Sequence, residues 1–140
     1  MLSVYPACFL KEETGYTVVF PDLGGTATCG ANVDEAMHYA IDCLAGYLFA
    51  LKKDKEPLPT PSALTDLDPH AIAAELEVSD EGAFVTMVPV DVEEYAKNHF
   101  ETYTETKVSI PAWLNAEAIK GGIDLSETLS SALLQKLRLA

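Results

Sequence analysis

GYTVVFPDLGGTATCGANVDEAMHYAIDCLAGYL, residues 15–48, decides the fold. Its opening alternates, placing Tyr16, Val18 and Phe20 on one face of a strand. Pro21 ends the alternation, and the turn that follows contains Gly24 and Gly25, where positive φ costs little. TATCG reads as a third short strand. Asn32 and Glu35 then stand three apart, so each can satisfy a backbone donor left open at a helix start. Val33, Ala36, Met37, Ala40, Ile41, Leu44, Leu48 and Leu51 recur at three- and four-residue spacing, the apolar face of a long helix. KKDKEP closes it, with lysines where the helix dipole favours cations.

Working outward, LSVYPACFL favours a strand through Val4, Tyr5 and Phe9 and pairs with GYTVVF as an antiparallel hairpin. Pro6 fits such a strand only at an edge or bulge. Pro57, Pro59 and Pro61 stop the helix and read either as a stiff connector or as an extended docking segment. The 63–82 stretch is ambiguous, with Asp68 and Pro69 able to open a short helix. GAFVTMVPVDV reads as a strand with Phe84, Thr86, Val88 and Val90 on one side, and VEEYAKNHFETY as helical. The fold class is therefore α+β: a small β-β-β-α-β sheet domain over residues 1–92, a helical linker over 93–103, and a separate module over 104–140.

That module begins with TKVSIPAWL, residues 106–114, where Val108 and Ile110 lie opposite Lys107 and Ser109 until Pro111 intervenes. A first helix runs to Gly121 and Gly122, one of them a left-handed cap. Asp124 and Glu127 start a second helix. So short a segment cannot bury Val108, Ile110, Trp113, Leu129 and Leu133 by itself, so these residues are the expected core of a dimer. Two strands would pair into a ribbon exposing Glu105, Lys107 and Ser109, shaped for the major groove. The open amides at Leu125 and Ser126 suit a phosphate. A pure dimerisation module is the plainer alternative.

Charge divides the chain in the same place. The formal net charge is -13. Residues 104–140 hold four of the 22 acids and four of the nine bases, so eighteen acids against five bases fall in 1–103. Such a surface repels nucleic acid and attracts a basic partner, or serves solubility alone. With hydrophobic residues at 49% the chain is not expected to be disordered. No apolar run is long enough to span a bilayer, and MLSVYPACFL lacks the features of a secretory signal. Three cysteines without CxxC spacing point to a reducing compartment, the cytoplasm, and away from a zinc site.

The stretch 15–48 resembles the HicB antitoxin family through Gly15, Tyr16, Phe20, Pro21, Asp22, Gly25, Thr28, Gly30, Glu35 and Ala36, and through the proline-rich LPTPS at 58–62. TKVSIPAWL followed by GGIDLSETL resembles the ribbon-helix-helix family. The resemblance implies an incomplete ribonuclease-H-like domain without nuclease activity of its own. Such a domain binds a small basic HicA-type toxin, an mRNA-cleaving protein. The C-terminal module would bind operator DNA and repress the operon. Candidate toxin contacts are Asp22, Asp34, Glu35 and Asp42, or the acidic 66–81 stretch.

Other chemistry is weakly supported. Two-metal catalysis needs converging carboxylates, and Asp22, Asp34, Glu35, Asp42, Glu93 and Glu94 are spread over a turn and helix surfaces. No enzyme, cofactor or metal is expected. His38, His70 and His99 read as surface residues. Cys29 reads as a small buried filler rather than a reactive thiolate. A different class of function is a stand-alone repressor whose first domain senses a small molecule, which requires an apolar pocket.

Overall fold

The computed structural model describes residues 1–100 and 103–139. The chain forms two compact units, Met1–Thr102 and Tyr103–Ala140. In the first, β1 (Ser3–Glu12), β2 (Gly15–Phe20) and β3 (Thr26–Gly30) are followed by α1 (Val33–Lys53), α2 (Pro69–Glu75), β4 (Phe84–Val90) and α3 (Val92–His99). The four strands make one antiparallel sheet in the order β3-β2-β1-β4.

The sheet buries side chains on both faces. On one, Tyr5, Ala7, Phe9, Val18, Phe20, Val88 and Val90 pack with Ala36, Ala40, Leu44, Ala45 and Leu48 of α1. On the other, Cys8, Leu10 and Val19 pack with Ala73 of α2. This explains why β1 is buried without interruption from Tyr5 to Leu10, whereas a strand with one wet face would alternate. Each fully buried Leu or Phe here contributes about 1.5–3 kcal/mol against exposure. Pro6 sits on the part of β1 that pairs with β4 alone, since the β1–β2 pairing begins at Cys8, so a locally open edge accommodates it.

Local chemistry fixes the start of α1. The Asn32 side chain accepts from the Glu35 amide at 2.8 Å, and the Glu35 carboxylate accepts from the Ala31 amide at 2.9 Å. Gly30 leaves no room for a side chain, because a Cβ there would stand 2.3 Å from the Ala36 nitrogen. Asp68 caps α2 in the stretch the sequence left ambiguous.

One expectation changes in this unit. Cys29 is exposed, because β3 is an edge strand and Ala27 and Cys29 alternate onto its uncovered side. The proline-rich segment is fastened to the first unit: the Tyr5 hydroxyl donates to the Pro59 carbonyl, and Asp22 accepts two bonds from Ser62. The helix expected over 93–103 is α3, which begins at Val92. Val92 is buried and the Tyr95 hydroxyl donates to Asp42 of α1 at 2.9 Å; residues 101 and 102 lie outside the described residues.

The second unit consists of α4 (Ala112–Lys120) and α5 (Leu125–Lys136) after an extended segment. Gly122, at φ 65, makes the left-handed turn between them. The strand anticipated at 106–110 is not formed within the single chain. A ribbon strand needs a second strand to bond to, and the described chain offers none here.

Candidate partner and nucleic-acid surfaces

Acidic side chains of the first unit are largely uncompensated. Among the described residues, none of its carboxylates pairs with a lysine; the ion pairs there are Met1–Asp91, His38–Asp34 and His70–Asp80. Negative charge therefore faces solvent unneutralised, where it can speed encounter with a basic surface.

Of the four candidate toxin contacts, Asp22, Glu35 and Asp42 have structural duties. Asp22 takes the Ser62 amide at 2.8 Å and the Ser62 hydroxyl at 2.6 Å. Glu35 caps α1, and Asp42 accepts from Tyr95. Asp34, whose side chain is 87% exposed, is free to meet a partner, with only His38 nearby at 3.6 Å. Burial and then the Asp42 bond and charge push the Tyr95 hydroxyl up to about 12. Tyr5 is also raised, by burial first and the Asp22 charge second. These long-range pairings were invisible to a sequence reading. The Phe-Pro-Asp and Pro-Thr-Pro-Ser signals were there, but 40 residues separate Asp22 from Ser62.

Chemistry requiring convergent ligands finds little support. Among the described residues, no three His, Cys, Asp or Glu side chains gather to hold a metal ion. A hollow of about 330 Å³ beside α3, lined by Ile41, Val90, Glu94, Tyr95 and His99 among others, opens to solvent. Burial raises the Cys8 thiol, and burial followed by the Asp42 charge raises Cys43. His99 stacks on Tyr95, with ring centroids 3.9 Å apart. No helix among the described residues is long and apolar enough to cross a membrane.

In the second unit the apolar residues lie open. Val108 is 59% exposed, Trp113 68% and Leu133 50%, and Ile110 and Leu129 are exposed as well. Glu105, Lys107 and Ser109 lie on the extended segment ahead of α4, all exposed. Asp124 accepts from the Glu127 amide at 3.1 Å, so the cap is satisfied while Leu125 and Ser126 stand at the open end of α5.

The chain thus joins an acidic α+β unit with a covered sheet to a helical unit whose apolar residues are exposed. Residues 5–137 match the family described as HicB_like antitoxin of bacterial toxin-antitoxin system, and the chain belongs to that family. A chain of the solved Toxin-Antitoxin complex from Streptococcus pneumoniae is 30% identical with a TM-score of 0.64, covering 97% of this chain and 99% of that one. Antitoxin HicB 2 of Photorhabdus laumondii subsp. laumondii is 38% identical over 58 residues, 41% of this chain and 42% of that protein. An uncharacterized 14.9 kDa protein in the rep-hol intergenic region of Haemophilus phage HP1 is 34% identical over 56 residues, 40% of this chain and 42% of that protein. The chain thus spans less than half the length of the curated relatives it matches.

Proposed function

We infer that this antitoxin binds and neutralises a small basic HicA-type toxin that cleaves mRNA, using the acidic surface of its first unit. The second unit joins two copies and represses the operon encoding the pair. Supporting this reading is one observation: the family match runs through both units, while the charge excess stays in the first and the unburied apolar core in the second. The first unit holds its partner by charge and shape, with no catalytic step of its own. In the paired ribbon Lys107 and Ser109 meet base edges beside Glu105, and the Leu125 and Ser126 amides meet phosphate. The module is near neutral, so duplication of each contact in the dimer compensates for the scarcity of cations.

The test is purification of the tagged chain at low salt, with intact-mass analysis of what accompanies it. A stoichiometric basic companion, smaller than this chain and released by high salt, should cleave mRNA alone and stop when the antitoxin is restored. A chain that comes through alone, or a companion without ribonuclease activity, would sink this reading.

A further inference from the structure

The two edges of the sheet differ. On β4 the exposed Pro89 removes a backbone donor, a usual protection of an open edge. On β3 the sequence Thr26-Ala27-Thr28-Cys29-Gly30 carries no charge and no proline. Among the described residues its backbone bonds to β2 and to no other segment. Half of its donors and acceptors are therefore open to an added strand.

A second, independent feature borders the same edge. Tyr39, Cys43 and Tyr47 recur at four-residue spacing along one side of α1. The Tyr47 hydroxyl lies 4.0 Å from where a Cβ on Gly24 would stand, placing this row beside the approach to β3. Tyr39 is 48% exposed, and Cys43 and Tyr47 are half-buried. Cys43 and Tyr47 pack against the core cluster, and Tyr39 stands exposed one turn before them.

We propose that β3 pairs antiparallel with β3 of a second copy of this chain, centred on Thr28. Electrostatics selects this occupant. A basic toxin is drawn to carboxylates, and β3 has none; two strongly acidic domains can approach each other only through an uncharged surface. The pairing matches Thr28 with Thr28 and Ala27 with Cys29, and it sets small side chains opposite one another. Five residues and this short row bury much less than the roughly 800 Å² per partner of a standard stable interface. The contact therefore depends on a tether, and the inference rests on the dimerisation proposed above for residues 104–140.

The experiment uses the full chain carrying Ala27→Cys under mild oxidation by oxidised glutathione. Opposed residues in an antiparallel pair have Cα atoms about 4.5–5.5 Å apart, within disulfide reach. A covalent dimer should appear that is absent from wild type and from Ala27→Cys/Cys29→Ser, and peptide mapping should join position 27 of one copy to Cys29 of the other. Absence of that peptide from a chain that is dimeric by native mass overturns the edge pairing and leaves the tail reading standing. A monomeric native mass removes both. A crosslink that forms only after a bound toxin has been stripped by high salt supports the pairing in the free chain and makes the toxin its competitor for the edge. A conservative Thr28→Val variant with unchanged crosslinking supports backbone pairing as the source of the contact.

Discussion

Asp22 and Ser62 are joined by two hydrogen bonds across 40 residues of sequence, at 2.8 Å to the amide and 2.6 Å to the hydroxyl. The pair, with the Tyr5–Pro59 bond beside it, holds the proline-rich strap against the turn that follows β2. This gives the Phe-Pro-Asp motif a structural purpose. Asp22→Ala should cost about 1–3 kcal/mol in denaturant unfolding, the range for a bond to a charged group in a partly buried place. Ser62→Ala should cost less, because its amide can still donate. The two substitutions should couple in a double-mutant cycle. Full stability in Asp22→Ala with loss of partner binding would instead make Asp22 a contact residue.

Tyr95 and Asp42 tie α3 to α1. The Tyr95 hydroxyl is raised from 10.0 to about 12, so the folded state retains this proton longer than the unfolded chain. The resulting stabilisation is complete below about pH 10 and is lost as pH rises toward 12. Phenolate absorbance should show a late-titrating tyrosine that disappears in Tyr95→Phe. In Asp42→Asn the same group should ionise earlier. A wild-type minus Tyr95→Phe difference curve that titrates near the ordinary tyrosine value of about 10 would contradict the pairing.

How much of this was legible beforehand depends on range. Local signals are legible: the Asn32–Glu35 cap, the α1 stripe, the β-β-β-α-β order and a left-handed glycine at 121 or 122, which is Gly122, rest on neighbours close in sequence. Tertiary partners were not legible. Cys29 was misread because nothing in TATCG reveals that its strand ends the sheet. The proline-rich connector shows its extended backbone in the sequence, but not the Tyr5 and Asp22 side chains that hold it. The 106–110 stretch has strand alternation, yet a strand exists only when another bonds to it. For the surfaces, composition reveals which part is acidic and spacing reveals the Glu35 cap, but neither reveals that Asp22 and Asp42 are engaged by Ser62 and Tyr95.

Trp113 is the sole tryptophan and is 68% exposed in the single chain. Burial against a second copy should shift its fluorescence to the blue, and dilution should reverse the shift. Leu133→Asp places a charge in the proposed dimer core and should leave a monomer with the emission of a solvated indole. A concentration-independent red emission from the wild-type chain would contradict dimerisation through this unit.

Asp34 is the freest of the candidate toxin contacts. Asp34→Asn should leave unfolding nearly unchanged, whereas Asp34→Arg should cost about 0.3–1 kcal/mol, because Asp34 lies in the first turn of α1 where the dipole favours an acid. Asp34→Arg should slow association with the basic toxin, and the difference should shrink as salt rises. Glu35→Arg should instead destabilise the chain through loss of the reciprocal cap, by about 0.5–2 kcal/mol. Equal on-rates for wild type and Asp34→Arg at low salt would remove Asp34 from the contact surface.

Lys107 is the only base on the extended segment before α4, so the groove assignment rests heavily on it. A good base contact is worth about 1–3 kcal/mol, and the dimer makes it twice. Lys107→Ala should therefore weaken operator binding by roughly tenfold or more while preserving the Trp113 signature of the dimer. Lys107→Glu should abolish binding, since Glu105 already stands on the same segment. Gel-shift titration across several salt concentrations separates base reading from charge alone. A loss uniform across operator variants marks a phosphate contact, whereas relaxed preference at one position marks a base contact. Unaltered operator affinity in Lys107→Glu, with the dimer intact, would take DNA reading away from this face and leave residues 104–140 as a dimerisation module.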